Sequence, residues 1–487
     1  MPARAHERTP KPAAVQAPKA RIAATILDAA YLDKPAHLRT RQERMDAGKA
    51  LRVTCPRDSH ADFAPDPARP DPVELLIESS RGRLEDLVPI RYGRMLASPF
   101  AFYRGAAAIM AADLARTPRT GIGVQACGDA HLANFGGFAT PERRVLFDIN
   151  DFDETFAAPW EWDLKRLAAS FVVASRHNQH DAADARAAAL LAAQAYADKL
   201  RELSQATALE AWYSSLDFEA LVEQAEDDEL KRRHRKLLAK AQQRDAGSEY
   251  AKLAFELEAR PRIRDVPPLI YHPAEVLAPE FEHNARESLR RYRESLPRER
   301  RVLIDRYELV DAAIKVVGVG SVGTWCAIAL LFAAENDPLF LQIKEARPSV
   351  LEPYVDFPGF ATHGERVVFG QRLMQASSDL FLGHYVNPQG RHVYVRQLRD
   401  VKVKPLIETF APLNMRNYAR LCGWALARAH ARSSDAAPIC GYIGKNTDFA
   451  EAIAQFAIDY ADQNQRDHAA LIAAVRAGRI EASDEED

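Results

Sequence analysis

Cysteine is scarce in this 487-residue chain: five residues, scattered at Cys55, Cys127, Cys326, Cys422 and Cys440, with no Cys-x-x-Cys pair. That pattern excludes a disulfide framework and a zinc knuckle, and it fits a reducing compartment. Long hydrophobic runs are missing as well. No stretch approaches the roughly 18 unbroken apolar residues of a membrane span. The opening MPARAHERTPKPAAVQAPKAR is basic and Pro/Ala-rich, without the apolar centre of a secretory signal. Nor is there an excess of one charge: the formal net charge of −3 gives no reason to expect nucleic acid as a partner. These absences predict a cytoplasmic globular protein. What is present agrees, since 47% of residues are apolar and 27% charged, enough for a sizeable core under an ordinary polar surface. The length allows about three domains or two larger lobes.

Composition divides the chain. Residues 1–21 read as a disordered basic tail and 478–487 as an acidic one. Residues 22–97 form a peripheral N-terminal arm, 98–306 a mainly helical region, 307–405 a Gly-punctuated, sheet-rich region, and 406–477 a helical end. Within the second segment, Ser98–Thr117 has apolar residues at three- and four-residue steps and predicts a helix. TGIGVQACGDAH predicts a short strand running into a loop, and GGFATPERRVLFDINDFDE a hairpin with a Thr-Pro turn. From WEWDLKRLAASFVVASRH to about residue 260 the pattern is helical. There, AEDDELKRRHRKLLAKAQQR puts acids before bases, as the ends of a solvated amphipathic helix favour, and we read it so rather than as a polyanion-binding helix.

The densest chemistry lies in GDAHLANFG, where Asp129, His131 and Asn134 fall within six residues, followed by Asp148, Asp151 and Asp153 around NDFDE. An Asp on a loop after a strand can accept a proton from an attacking hydroxyl or orient it. Asn is a neutral oxygen ligand suited to Mg²⁺, and the later acids add charged oxygens. Asx residues in loops also cap turns and helix starts. Three acids near a buried strand, however, repel one another unless something cationic is bound.

CGDAHLANFG, VLFDINDFDE and WDLKRLAAS together resemble the catalytic segment of aminoglycoside phosphotransferases and related kinase-like enzymes. The chain from roughly residue 70 to 470 also resembles the bacterial family called domain of unknown function 2252, through RYGRMLASPFAFYRG, GDAHLANFG, NDFDE and WDLKRLA. The kinase-like resemblance implies Asp129 as catalytic base and Asn134 as a metal ligand; His131 is read beside them either as a contact to phosphate or metal or as a loop-stabilising histidine. The resemblance also implies Asp151 as the second metal ligand, with Asp148 permitted by the same spacing. Asp163 would be the structural Asp that holds the catalytic loop from a neighbouring helix. Cys127 departs from the pattern, in which His or another residue often precedes Gly-Asp.

A kinase-like site also needs a glycine-rich turn over the phosphates and a strand lysine, and nothing before Asp129 supplies them. They occur downstream: Gly318, Gly320, Ser321 and Gly323 in VVGVGSVGT, Lys344 in LFLQIKEA, and Glu365 at the start of a predicted helix. Their order matches the small lobe of a kinase-like fold, in which the Lys binds the α/β-phosphates and the Glu orients it. A Rossmann turn, with TWCAIALLFAA as its helix, and a structural Gly-rich hairpin are the alternatives. The expected fold is therefore α/β (α+β), two-lobed and kinase-like, circularly permuted, with the nucleotide lobe inserted between helical regions.

Other residues are read more plainly. Arg91, Arg94 and Arg104 are expected to pair with acids at the surface, and Lys165 and Arg166 to form local ion pairs. His430 is expected to be structural, and Cys127 lacks an activating partner for nucleophilic catalysis. The functional expectation is an ATP- and Mg²⁺-dependent phosphotransferase acting on a hydroxyl of an unknown small-molecule or protein acceptor. A non-catalytic nucleotide-binding protein and a metal-dependent phosphoesterase are the alternatives.

Overall fold

Alanine sets the packing of the helical region. Asp181 caps the helix Ala182–Leu203 by accepting from Asp184 N at 2.7 Å. Its buried stripe, Ala185, Ala188, Ala189, Ala192, Ala193 and Tyr196, recurs at three- and four-residue steps. Small side chains let the helix Pro412–Ser433 approach so closely that a Cβ on its Gly423 would fall 2.2 Å from Ala192 O. The helices Trp160–His177 and Asp448–Arg476 complete this bundle, and Trp160 stacks on Tyr196 at its centre. The computed structural model describes residues 20–21, 35–64, 66–224, 232, 250, 252–257, 260–267, 269–272, 279–316, 322–334, 337–398 and 402–483.

Sixteen strands are named in chain order. β1 (Ala20–Arg21) pairs in parallel with β13 (Val355–Asp356), and β2 (Gly123–Ala126) pairs antiparallel with β5 (Phe156–Pro159). β3 (Phe135–Ala139) and β4 (Val145–Ile149) form a hairpin, flanked by β16 (Lys402–Val403) and β6 (Leu216–Asp217). β7 (Ala254–Leu257) and β8 (Arg260–Ile263) form another hairpin. The largest sheet has six antiparallel strands in the order β14-β15-β12-β11-β10-β9: Gly383–Val386, His392–Gln397, Pro338–Glu345, Cys326–Phe332, Glu308–Lys315 and Ile270–Tyr271. The helix His363–Met374 lies between β12 and β14 in sequence.

Both faces of that sheet are covered, which is why its central strand β11 reads as a continuous apolar run rather than an alternating one. Leu331, Leu339, Leu341, Val393 and Val395 pack with Tyr292 and Leu296 on one face. Ile328, Leu330, Phe340 and Leu398 pack with Leu253 and Ile263 on the other. Alternation along β12 then puts Ile343 on the first face and Lys344 on the second.

The architecture is mixed α/β, as expected, but several local expectations are corrected. TWCAIALLFAA contains strand β11 rather than the helix a Rossmann turn requires, which removes the dinucleotide reading. The Ser98–Thr117 helix is two helices, Pro99–Gly105 and Ala107–Leu114, broken at Ala106. There the Gly105 carbonyl accepts from the Arg91 guanidinium at 3.2 Å, outside the helical ladder. Among the described residues strand β6 interrupts the helical pattern, helix recurs at Arg232, Tyr250, Lys252 and Leu253, and strands β7 and β8 follow, with Ala254 and Ile263 packed on the sheet. The acid-then-base stretch at 225–244 lies outside the described residues apart from Arg232. The N-terminal segment is bound in rather than peripheral: Arg69 bridges Asp113 and Asp467 at 2.7 and 2.6 Å, tying it to the last helix.

Candidate functional site

The loop between β2 and β3 turns at Gly128, whose φ of +82° suits glycine. A Cβ there would lie 2.1 Å from Glu154 O, so the Asp129 loop and the returning NDFDE segment are in backbone contact. Asp163, from the Trp160–His177 helix, accepts from Cys127 N at 2.6 Å and Gly128 N at 2.9 Å. Its Oδ2 lies 3.2 Å from His430 Nε2, and His430 Nδ1 lies 2.8 Å from Tyr196 OH. The loop is thus held from two helices.

Asp129 accepts from Arg166 Nε at 2.6 Å. Arg166 is therefore not a local ion-pair partner: it reaches back across the helix, with its guanidinium 4.5 Å from the Tyr103 ring centroid and donating to Tyr103 O at 3.0 Å. Burial pushes the Asp129 carboxyl up, against the Arg166 and Arg104 charges that hold it down. His131 Nε2 is 3.8 Å from Asp129 Oδ2, its Nδ1 has no partner, and burial pushes its pKa well below the usual value, so the ring is neutral. Asn134 donates through Nδ2 to Asp129 O at 2.8 Å, and its own carbonyl accepts from Asn150 N at 2.8 Å. Lys165 also departs from expectation: its Nζ is buried without a hydrogen-bond partner, 4.6 Å from the Phe456 ring centroid.

The three acids after the hairpin separate by role. Asp148 is 1% exposed and committed to a buried ion pair with Arg428, with Ala376 N donating to its second oxygen at 2.9 Å. Ile149 N also donates to Asp148 Oδ1 at 2.9 Å, so three protein donors occupy this buried carboxylate. Among the described residues Asp151 has no ion pair; its Oδ1 accepts from Asp153 N at 3.2 Å, and burial, then the Asp153 charge, raises its pKa. Asp153 meets Lys344: Nζ lies 2.5 Å from Oδ2, while Tyr394 OH donates to Oδ1 at 2.5 Å. Burial alone would raise the Asp153 pKa, but Lys344 and Tyr394 bring it down to about 2. The same pairing outweighs burial at Lys344 and holds its ammonium charged.

Glu365 is not the partner of Lys344. It sits in the first turn of its helix with its amide capped by Thr362 Oγ1 at 3.0 Å. Its neighbour Arg366 turns inward instead, 1% exposed, donating to Thr155 O at 2.6 Å, Asp153 O at 2.8 Å and Arg347 O at 2.7 Å. Sequence reasoning missed Arg366, Tyr394, Arg396 and Arg428. The only sequence signal was alternation in HVYVRQ, which puts Tyr394 and Arg396 on one face once β15 is set opposite Lys344. Gly318, Gly320 and Ser321 lie outside the described residues. Gly323, at φ +82°, is clasped by Leu84 N donating to its carbonyl at 2.7 Å. Arg91 pairs with no acid: it is 2% exposed and bound to Ser80 Oγ at 2.7 Å.

Among the described residues no group of three or more His, Cys, Asp and Glu is placed to hold a metal ion. Asn134 and Asp151 carry oxygens of the kind Mg²⁺ takes, since it uses one or two protein oxygens together with water and phosphate oxygens. Among the described residues no helix is long and apolar enough to cross a membrane.

Fold and site together define a mixed α/β protein in which a helical bundle carries an Asp-Asn loop and an antiparallel sheet supplies the lysine that meets the adjoining acids. The chain belongs to the family described as uncharacterized protein conserved in bacteria (DUF2252), whose sequence pattern matches residues 83–474. No curated protein and no solved structure matches it.

Proposed function

We propose that this chain is a kinase-like phosphotransferase, circularly permuted, that uses ATP and Mg²⁺ to phosphorylate a hydroxyl of a small-molecule or protein acceptor. The observation that carries the reading is the Lys344–Asp153 contact, which joins the two candidate half-sites across 191 residues of sequence. The sheet supports it further. β10, a turn containing Gly323, β11, the lysine strand β12, a helix and then β14–β15 follow the order in which protein kinases carry their Gly-rich loop, strand Lys and helix.

In this reading Asp129 takes the hydrogen bond, and then the proton, of the acceptor hydroxyl. Its upward-shifted pKa makes it a better base than an exposed Asp. Arg166 fixes the carboxylate's direction, and Asp163 with His430 fixes the loop. Asn134 Oδ1 and Asp151 would hold Mg²⁺, which when bound neutralises phosphate charge. Lys344 exchanges Asp153 for nucleotide phosphates, with the glycine-rich sequence from Gly318 to Gly323 as the candidate phosphate-covering segment.

A non-catalytic nucleotide-binding reading is favoured by one feature: both charged anchors, Asp129 and Lys344, already have ion-pair partners. Thermal melting distinguishes the cases. Saturating ATP–Mg²⁺ at about 100 times Kd stabilises by about 2.7 kcal/mol, a shift expected for the wild type and lost in Lys344→Ala. NAD gives none. Absence of any ATP shift defeats both readings. A shift that survives in Asp129→Ala, with no ATP turnover or phosphate transfer by the wild type, selects the binding protein.

A further inference from the structure

Lys344 faces one side of the six-stranded sheet; the other side holds a cavity of about 650 Å³. Its floor is Ala327 and Ala329 of β11 with Ile343 of β12, and Tyr292 of the helix Pro279–Ser295 forms part of its roof. Leu331 and Leu341 border the same space, and Leu339 packs beyond it on the same face. Alanine at the two floor positions is what opens the cavity. Protein interiors are close-packed with few voids larger than a water molecule, whereas small-molecule sites are apolar hollows of about 300–1,000 Å³ with a few convergent polar groups.

The polar lining includes Asn284, Asn387, Gln389 and Arg391, and none of the described lining residues is acidic. Arg391 is the single charged one. Its guanidinium lies a long 3.4 Å from Glu345 Oε1, and the side chain is 39% exposed. Trp325 borders the same space. We propose that this cavity binds an apolar small molecule with one anionic head, an amphipathic carboxylate, its hydrocarbon on Ala327 and Ala329 and its head at Arg391. The inference does not depend on nucleotide binding, because the cavity lies across the sheet from Lys344.

The test titrates the full chain with decanoate and with anilinonaphthalene sulfonate as a fluorescent reporter, exciting tryptophan. Expected are saturable one-site dye binding, displacement by decanoate, and transferred emission that drops in Trp325→Phe. Ala329→Phe, which fills the floor, should weaken decanoate at least about tenfold, a loss of about 1.4 kcal/mol. Arg391→Gln should weaken decanoate but not decanol. Unchanged decanoate binding in Ala329→Phe, or failure of decanoate to displace the dye, overturns the site. Equal effects of Arg391→Gln on acid and alcohol overturn the head-group assignment. If Ala329→Phe does not fold, the Trp325→Phe arm decides, and undiminished transfer refutes the location.

Discussion

Replacing Lys344 by Met removes the cation from an ion pair that joins the acidic loop to the sheet. The magnitude follows from Asp153. Its pKa falls from 3.8 to about 2, and at about 1.36 kcal/mol per unit this is about 2 kcal/mol of stabilisation at neutral pH. The Asp153 side chain is 25% exposed and Tyr394 shares the effect, so about 2 kcal/mol is the ceiling for the pair alone. The sign is that of a depressed carboxylate: the contribution is present above the unfolded value of 3.8 and is lost as pH falls through about 2. Lys344→Met should therefore cost more than Asp153→Asn–Lys344→Met relative to Asp153→Asn, with a coupling of about 1–2 kcal/mol. Amide hydrogen exchange along β12 reads the local opening free energy in all four proteins. A coupling below about 0.5 kcal/mol at pH 7, or an equal coupling at pH 2, refutes the idea that this pair fastens the two halves of the site.

Three further predictions concern the surrounding frame. Gly128→Ala meets both a positive φ and a 2.1 Å approach to Glu154 O, and should lower stability by more than about 2 kcal/mol in urea unfolding. Arg428→Met strands the buried Asp148 carboxylate and should cost about 3–5 kcal/mol, while adding Asp148→Asn should recover much of it. Burial raises the Glu154 pKa from 4.5 to about 7, so the folded state holds a proton that the unfolded state has lost between those values. Stability should then fall by up to about 3 kcal/mol as pH rises from 4.5 to 7, and Glu154→Gln, measured over the same range, should flatten that slope.

Much of this protein was legible as local pattern. Periodicity and alternation marked the helical regions and the β3–β4 hairpin, because those signals depend on neighbours a few residues apart. The Asp129–Asn134 loop and the later acids were likewise visible as a cluster, since their spacing in sequence is short. Which acid does what was not. Asp148, Asp151 and Asp153 look alike in NDFDE and its approach, and they differ because Arg428 pairs with the first and Lys344 with the third, while among the described residues the second has no ion pair. Arg366 and Tyr394 carry no motif; their positions follow from how the His363–Met374 helix and strand β15 lie against the loop. The sequence by itself determined the elements and the polar residue types available at the loop. The tertiary structure alone decided which charges meet, because an ion pair depends on separation in space, and Lys344 and Asp153 are 2.5 Å apart across 191 residues of chain.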